Sequence, residues 1–195
     1  MSAALFATAA SFGLALAQDR PPERPTRDFA VTYIRIGTPP AQAEMHVSWS
    51  TAENRLRLDL PDGFGWTVVD HENLGTSFVV LDAQRLVMPL PAGTEVIAGM
   101  PGGTNSTGRY TRVGNAAYAG LSCTVWRYED GHRAAGEACI TEDGVLLRAI
   151  GTHEGKTGGM EATRVAYGPQ DPARFRRPEG YEVIEAPAGD GPAKR

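Results

Sequence analysis

The sequence is poor in the residues that build most catalytic centres. Its 195 residues include only two cysteines and four histidines. No C-x-x-C pair is present, which excludes a thioredoxin-like redox motif, and no G-x-S-x-G motif marks a nucleophilic serine. The histidines lack the short spacing by which one element gives zinc two ligands; they are His46, His71, His132 and His153. We therefore expect no metal, no cofactor and no enzymatic activity.

Strong charge of one sign is also missing. The chain has 19 basic and 23 acidic side chains, a net charge of −4. This balance provides no broad basic surface for nucleic acid or anionic lipid. We therefore expect no nucleic-acid partner.

The amino terminus has the features of a signal peptide. Residues 3–17 are uncharged and end in Ala15-Leu16-Ala17, the small-x-small pattern of a signal-peptidase site. The stretch is shorter than the roughly 20 residues of a transmembrane helix, so we expect no span in the mature chain. No basic residue precedes it, which leaves a membrane anchor or a flexible tail as the alternative. We predict a signal peptide over residues 1–17 and a periplasmic protein.

The remaining sequence predicts one β domain. Residues 18–27 are a proline-rich charged linker, 28–184 are the domain, and 185–195 are a disordered tail. Apolar residues alternate with polar ones in runs about ten residues apart, as at Arg55 to Leu60, which favours antiparallel strands. One short helix is predicted at Asp171 to Arg176, with Asp171 as N-cap and Pro172 at the first helical position. The predicted fold is a curved antiparallel sheet, a half-barrel with one or two short helices.

The two cysteines predict a disulfide. Cys123 and Cys139 lie symmetrically around the turn-like Asp130-Gly131, so an antiparallel hairpin centred on Gly131 places them directly opposite each other. Opposed residues of a non-hydrogen-bonded pair have Cα atoms about 4.5 Å apart, within the range that a disulfide accepts. Disulfides persist in oxidising compartments, which agrees with export. We expect a structural bridge.

A glycine-rich segment interrupts the strand pattern at residues 91–108. A segment of this length without periodicity is either functional or disordered. One interpretation is a lid with a small apolar tip, formed by Val96, Ile97 and Met100. The other is a surface loop.

One dense polar cluster, Asp70-His71-Glu72, could supply an acid and a base for hydrolysis. Adjacent strand residues point to opposite faces of a sheet, however, and no nucleophile motif accompanies the cluster. A turn after the preceding strand is the favoured interpretation. The run from Gly151 to Thr157 departs from the P-loop pattern and is interpreted as a flexible hairpin loop.

Several segments resemble a secreted bacterial family of uncharacterised function, itself similar to the outer-membrane lipoprotein carrier (LolA-like) superfamily. They span most of residues 28–181 and include Val113-Gly114, Ala119 to Trp126, Cys139 to Arg148, Val69-Asp70-His71, Val79 to Asp82 and Phe175 to Tyr181. The resemblance implies a curved half-barrel with a concave apolar face covered by a helix or loop, and a periplasmic role. In the carriers that cavity receives lipoprotein acyl chains. No catalytic residue is implied.

Three hypotheses for function follow. In the first, one sheet face binds a lipid, an acyl chain or another hydrophobic ligand, and its lining includes Trp49, Leu58, Trp66, Phe78, Leu81 and Trp126. Ordinary core packing is the alternative for each of these side chains. In the second, the core is filled and the domain has a structural or protein-interaction role. In the third, the protein is a hydrolase that uses Asp70, His71 or Glu72.

Overall fold

A computed structural model describes residues 20–37, 44–90, 109–129, 135–153 and 156–184. These residues form one sheet of twelve strands: β1 (Phe29–Ile36), β2 (Met45–Ser50), β3 (Arg55–Asp59), β4 (Trp66–Asp70), β5 (Phe78–Leu81), β6 (Leu86–Pro89), β7 (Arg109–Tyr118), β8 (Leu121–Glu129), β9 (Ala135–Ile140), β10 (Leu146–His153), β11 (Lys156–Tyr167) and β12 (Glu182–Val183). Four 3₁₀ turns accompany them, at Pro61–Gly63, Leu74–Thr76, Asp82–Gln84 and Pro172–Phe175.

The sheet consists of two meanders joined side by side. Its strand order is β12-β6-β5-β4-β3-β2-β1-β11-β10-β9-β8-β7. All neighbouring strands are antiparallel except the pair β12 and β6. Burial of one face of a strand accounts for the alternating runs in the sequence, as in β3. The predicted fold class is confirmed: the protein is mainly β, with one large, curved, unclosed sheet.

The main core lies on one face of β1–β3, which we call the inner face. Cross-strand pairing places Val31, Val47 and Leu58 in one row, and Phe29, Trp49 and Leu56 in the next. All six side chains are buried. They share a cluster with Cys123, Cys139, Val145 and Leu147. The two cysteines lie three and four strands away from β1 in the sheet, so the sheet curves toward its inner face.

The opposite, outer face is apolar on β4–β6 and is covered by the carboxy-terminal segment. Trp66, Val68, Phe78, Val80 and Val87 form a second buried cluster, against which Tyr181 packs. The same face of β3 carries two arginines that hold the covering segment. Arg55 and Arg57 donate to the carbonyl oxygens of the 3₁₀ turn Pro172–Phe175, over 3.4 and 2.7 Å, and Phe175 is fully buried.

The predicted disulfide is present, but the predicted strand register is wrong. Cys123 and Cys139 are bridged with a Cα–Cα distance of 5.4 Å. Cys139 directly opposes Val125 rather than Cys123, so the bridge runs diagonally between β8 and β9. The register is centred one residue beyond Gly131. Residues 130–134 of that connection lie outside the described residues.

Two smaller predictions concern local structure. The side chain of Asp171 accepts a hydrogen bond from Ala173 N, which confirms the N-cap, although the helix is a single 3₁₀ turn. The run from Gly151 to Thr157, predicted as a flexible loop, is mostly strand, since β10 continues to His153 and β11 begins at Lys156.

The proline-rich segment before β1 contacts the domain. Thr26 N donates to Asp143 O over 3.0 Å, and Arg27 lies 3.5 Å from the Asp143 carboxylate. Residues 20–27 therefore rest against the turn before β10, and they have no regular secondary structure.

Candidate functional site

A partly open apolar surface continues the inner face beyond the core. Direct pairing extends the row of Leu58 through Thr67 of β4 to Val79 of β5 and Met88 of β6. Five apolar side chains on this part of the sheet are half-buried, whereas the apolar side chains of β1–β3 that belong to the main core are buried. They form what we call the β4–β6 patch: Val69, Val79, Leu81, Leu86 and Met88.

The chemistry of the patch is aliphatic and uncharged. The inner positions of β4–β6 are Thr67, Val69, Val79, Leu81, Leu86 and Met88. None of them carries a charge, and only Thr67 is polar. Removing such a surface from water is favourable, by about 25 cal/mol for each Å² that is buried. The arrangement can therefore hold an apolar group but supplies no acid, base or nucleophile.

The structure divides the six side chains predicted to line one surface. Trp49, Leu58 and Leu81 belong to the inner face. Trp66 and Phe78 lie on the outer face, because Trp66 pairs with Asp59 rather than with Leu58. Their rings meet edge to face at a centroid distance of 5.7 Å.

Trp126 belongs to a third buried cluster and lies apart from the β4–β6 patch. Its neighbours there are Ala138, Ile140, Leu146 and Ala149. The predicted lid residues Val96, Ile97 and Met100 lie outside the described residues. The six predicted lining residues thus do not form one site, and ligand contact by any of them remains a prediction.

On the inner face, Trp49 has a buried polar atom, its indole nitrogen. Trp49 is 1% exposed, and its buried Nε1 has no hydrogen-bond partner among the residues that the structure describes. The ring of His71 packs edge-on against it at a centroid distance of 5.2 Å. Burial, together with the charge of Arg24, lowers the pKa of His71 against the opposing effect of Asp70, so the imidazole is neutral at neutral pH.

The carboxylate of Asp70 is fully engaged in local structure. Arg55 donates to it through Nε and Nη2 over 3.1 and 2.9 Å, and the Thr76 hydroxyl donates over 2.8 Å. The backbone N–H groups of Glu72 and Asn73 donate to the other oxygen. Burial of Asp70 raises its pKa, but these hydrogen bonds outweigh burial and lower the pKa below its ordinary value.

The cluster from Asp70 to Glu72 is consequently a turn that connects β4 to β5. His71 N donates to Asn54 O, and the Glu72 carboxylate accepts from the Asn54 side chain over 3.1 Å. The three residues therefore fix two neighbouring connections to each other. Within the described ranges, no group of three His, Cys, Asp or Glu side chains could hold a metal ion. No helix in those ranges is long and apolar enough to cross a membrane.

Sequence reasoning missed this site because both faces of β4 are apolar. The run Trp66-Thr67-Val68-Val69 is apolar on both faces apart from one threonine, which is typical of a strand covered on both sides. That signal was available in the sequence. Which neighbours cover each face depends on tertiary packing.

One long strand forms an edge of the described sheet. β7 pairs with β8 on one side only, and its ten residues are exposed or half-buried. An irregularity between Arg112 and Gly114 interrupts the pairing. Among the described residues no strand pairs with the other side of β7, so its backbone groups there resemble a template for a further strand.

Comparisons with known proteins identify relatives of the fold alone. No family model and no curated protein matches the sequence. An uncharacterized conserved protein from Thermus thermophilus is 14% identical and has a TM-score of 0.56; the match covers 83% of this chain and 91% of that one. The MucA/MucB complex from Pseudomonas aeruginosa contains a chain that is 19% identical, with a TM-score of 0.52. That match covers 82% of this chain and 58% of the other.

A LolA superfamily protein from Nitrosomonas europaea is also among the matching structures. It is 10% identical, the match covers 78% of this chain and 91% of that one, and the TM-score is 0.41. The curved, unclosed sheet is consistent with a LolA-like half-barrel. The fold assignment itself rests on the two stronger matches and on the strand order.

Proposed function

We propose that this protein is an exported binding protein that holds a hydrophobic ligand, such as an acyl chain, on the β4–β6 patch. The observation that carries the proposal is the difference in side-chain exposure between the two ends of the inner face. On this face the core side chains of β1–β3, such as Val31, Val47 and Leu58, are buried, whereas Val69, Val79, Leu81, Leu86 and Met88 are only half-buried. The patch is continuous with the core and carries no charge.

The physical gain from such binding is large enough to matter. Burying one methylene contributes about 0.8 kcal/mol, so a few methylenes of an acyl chain on the patch offset part of the entropy lost on association. The side chains that receive it already lie in strands of a rigid sheet. Met88 adds a flexible thioether that adapts to irregular ligands.

Export supports the same proposal. The disulfide between Cys123 and Cys139 is of the kind that forms and persists in oxidising compartments. The signal peptide predicted for residues 1–17 provides the route, and the periplasm is the compartment that both features favour.

A protein-interaction role is the second candidate, and a specific observation favours it. β7 is a ten-residue edge strand, and extended peptides bind to such edges by adding a strand. A structure with this fold is a complex of two proteins, MucA/MucB. In this role a partner segment pairs with β7, and the β4–β6 patch remains empty of lipid.

A titration with the uncharged apolar dye N-phenyl-1-naphthylamine tests the first proposal. The dye fluoresces strongly when it leaves water, so saturable binding to the exported protein is expected. Val79→Glu places a charge in the middle of the patch and should weaken binding at least about tenfold, because a charge is costly to bury. Val79→Thr, which keeps the shape, should weaken binding less.

Ile34→Glu is the matched control. Ile34 is 41% exposed, lies in β1 and pairs with Glu161, so the new charge is far from the patch. This variant should bind the dye as the unchanged protein does. Equal binding by the Val79→Glu and Ile34→Glu proteins would remove the patch from consideration, and absence of dye binding altogether would favour the interaction role.

A further inference from the structure

The two edges of the described sheet differ in length and in charge. The edge at β12 has two residues, one of them Glu182, whereas the edge at β7 has ten residues and no acidic side chain. Unpaired backbone groups on a long edge are a template for a further strand, and proteins protect such edges with charged side chains and bulges. Among the described residues, β7 is therefore the edge on which strand addition is favoured.

The first half of β7 is the accessible part of this edge. The side chains of residues 111–115 are all exposed, and Val113 is 40% exposed. The far end of the strand turns toward the protein, since Tyr118 packs against the main core and the Arg148 guanidinium lies 5.5 Å from the centre of its ring. Val113 has no directly opposed residue in β8, so the irregularity there separates the two halves.

Three arginines give this half of β7 a positive charge. Arg109 and Arg112 are exposed residues of the strand, and neither forms an ion pair with a described residue. Arg20 lies close enough to influence Tyr110. Burial raises the pKa of Tyr110, the charge of the neighbouring Tyr128 phenolate raises it further, and the charge of Arg20 opposes both. This local charge contrasts with the net charge of −4 of the whole chain.

Arg112 has no acidic neighbour in the strand pair β7–β8. It directly opposes Trp126 and donates to the side chain of Asn115 over 3.2 Å. Glu129, the one acidic residue of β8, opposes Arg109 instead. An added strand places a side chain directly beside each residue of β7, about 4.5–5.5 Å away on the same face. A carboxylate in the position beside Arg112 would therefore meet a cation without an ion-pair partner among the described residues.

The same charge argues against a second copy of this chain as the occupant of the edge. Two β7 strands paired with each other would bring four arginines together without a carboxylate. Like charges on paired strands are destabilising, whereas opposite charges are stabilising. Arg109 and Arg112 thus disfavour self-pairing and favour an acidic strand, which is specificity by repulsion of the wrong partner.

We propose that residues 109–113 of β7 bind an extended acidic segment of another protein, which adds to the sheet as a further strand. Two carboxylates three positions apart in that segment lie beside Arg109 and Arg112, and the backbone of β7 supplies the hydrogen bonds. The inference rests on the proposed interaction role of β7 and is independent of ligand binding on the β4–β6 patch.

Fluorescence anisotropy with two labelled peptides tests the proposal on the exported, oxidised protein. The probe Thr-Glu-Val-Thr-Glu-Val-Thr has its glutamates three positions apart, and the reference probe has lysine at both positions. The acidic probe should bind at least about tenfold more tightly at low ionic strength, and added salt should reduce the difference. Arg112→Glu should remove most of this preference. Arg164→Glu is the matched control and should keep it, because Arg164 is an exposed arginine of β11, which has a neighbouring strand on both sides.

A third peptide separates strand addition from simple attraction between charges. It has the side chains of the acidic probe but carries methyl groups on alternate backbone nitrogens, which removes the donors that a paired strand needs. Its binding should be largely lost. Amide hydrogen exchange gives a second readout: residues 109–113 should exchange more slowly with the acidic probe, and β12 should be unaffected.

Each failure has its own appearance. If neither probe binds, the interaction role of β7 fails and the acidic preference fails with it. If both probes bind equally, the edge accepts strands and only the charge preference is wrong. An N-methylated peptide that binds as tightly as its parent would overturn strand addition. Reversible dimerisation that the acidic probe competes with would make a second copy the occupant and overturn the choice of partner.

Discussion

Asp70 shows how an acidic side chain contributes to the structure of a turn. Its carboxylate accepts hydrogen bonds from Arg55, Thr76, Glu72 and Asn73, and its backbone N–H donates to the Ser77 hydroxyl over 3.0 Å. Five hydrogen bonds thus hold the carboxylate in the turn. The residue closes the connection between β4 and β5, on which the patch residues Val69 and Val79 depend.

Replacing Asp70 by Asn should destabilise the fold by about 1–3 kcal/mol, because a charged acceptor of several hydrogen bonds is lost. The folded-state pKa of Asp70 is lowered, so its contribution is fully present above the ordinary carboxyl pKa near 3.8. It disappears as the pH falls through the folded pKa. The difference in unfolding free energy between the two proteins should therefore be constant near neutral pH and shrink in acid.

Urea denaturation at a series of pH values measures this difference. Asp82→Asn is the control, since Asp82 is exposed and accepts only from the Tyr181 hydroxyl among the described side chains. That substitution should have a small effect. A loss in Asp70→Asn that stays constant into acid would contradict the role assigned to the charge.

At the scale of elements, the disulfide stabilises the meander formed by β7–β11. Cys123 and Cys139 join β8 to β9 and are both buried in the inner cluster with Val145 and Leu147. The bridge therefore connects the half of the sheet that carries β7 to the core of β1–β3. Its loss should loosen that half before it affects the β4–β6 patch.

Replacing both cysteines by alanine should lower the free energy of unfolding by about 3 kcal/mol, from the loop that the bridge closes in the unfolded chain. Urea denaturation of the oxidised protein and of the variant measures it. Adding a reductant should bring the unchanged protein to the stability of the variant and leave the variant unaffected. A reductant-insensitive unchanged protein would contradict a stabilising bridge.

The strands were predictable from sequence because their alternation is regular. The run from Arg55 to Leu60 specifies a strand with one apolar face, and β3 has that pattern. The register of the cysteine hairpin was not predictable, since it depends on the conformation of the connection. The packing of the carboxy-terminal segment on the outer face was also not predictable. Phe175 lies in a run of arginines and prolines without periodicity, and its burial depends on tertiary contacts.

The candidate site was only partly predictable for a related reason. Leu81 and Trp49 were expected on the ligand face and lie on the inner face. Trp66 and Phe78 were expected there too, but β4 is apolar on both sides and sequence alone does not say which side meets the core. The unpaired nitrogen of Trp49 is visible only in three dimensions.

At the scale of the whole molecule, the described residues form a curved sheet whose inner face is filled at one end and only half-buried at the other. The inner face is occupied by the protein's own core at β1–β3, and by half-buried aliphatic side chains at β4–β6. The outer face of β4–β6 is closed by the carboxy-terminal segment, as the buried Phe175 shows. The central claim is the proposal that a hydrophobic ligand lies on the inner surface of β4–β6.

Mass spectrometry of the protein exported to the periplasm of a Gram-negative host and purified without detergent tests this claim most directly. The chain with residues 1–17 is expressed, and organic extracts are compared for the unchanged protein, Val79→Glu and Ile34→Glu. A stoichiometric lipid or acyl compound is expected with the unchanged protein and with Ile34→Glu, and a strongly reduced amount with Val79→Glu. Extracts without lipid, or with equal lipid from all three proteins, would contradict the claim.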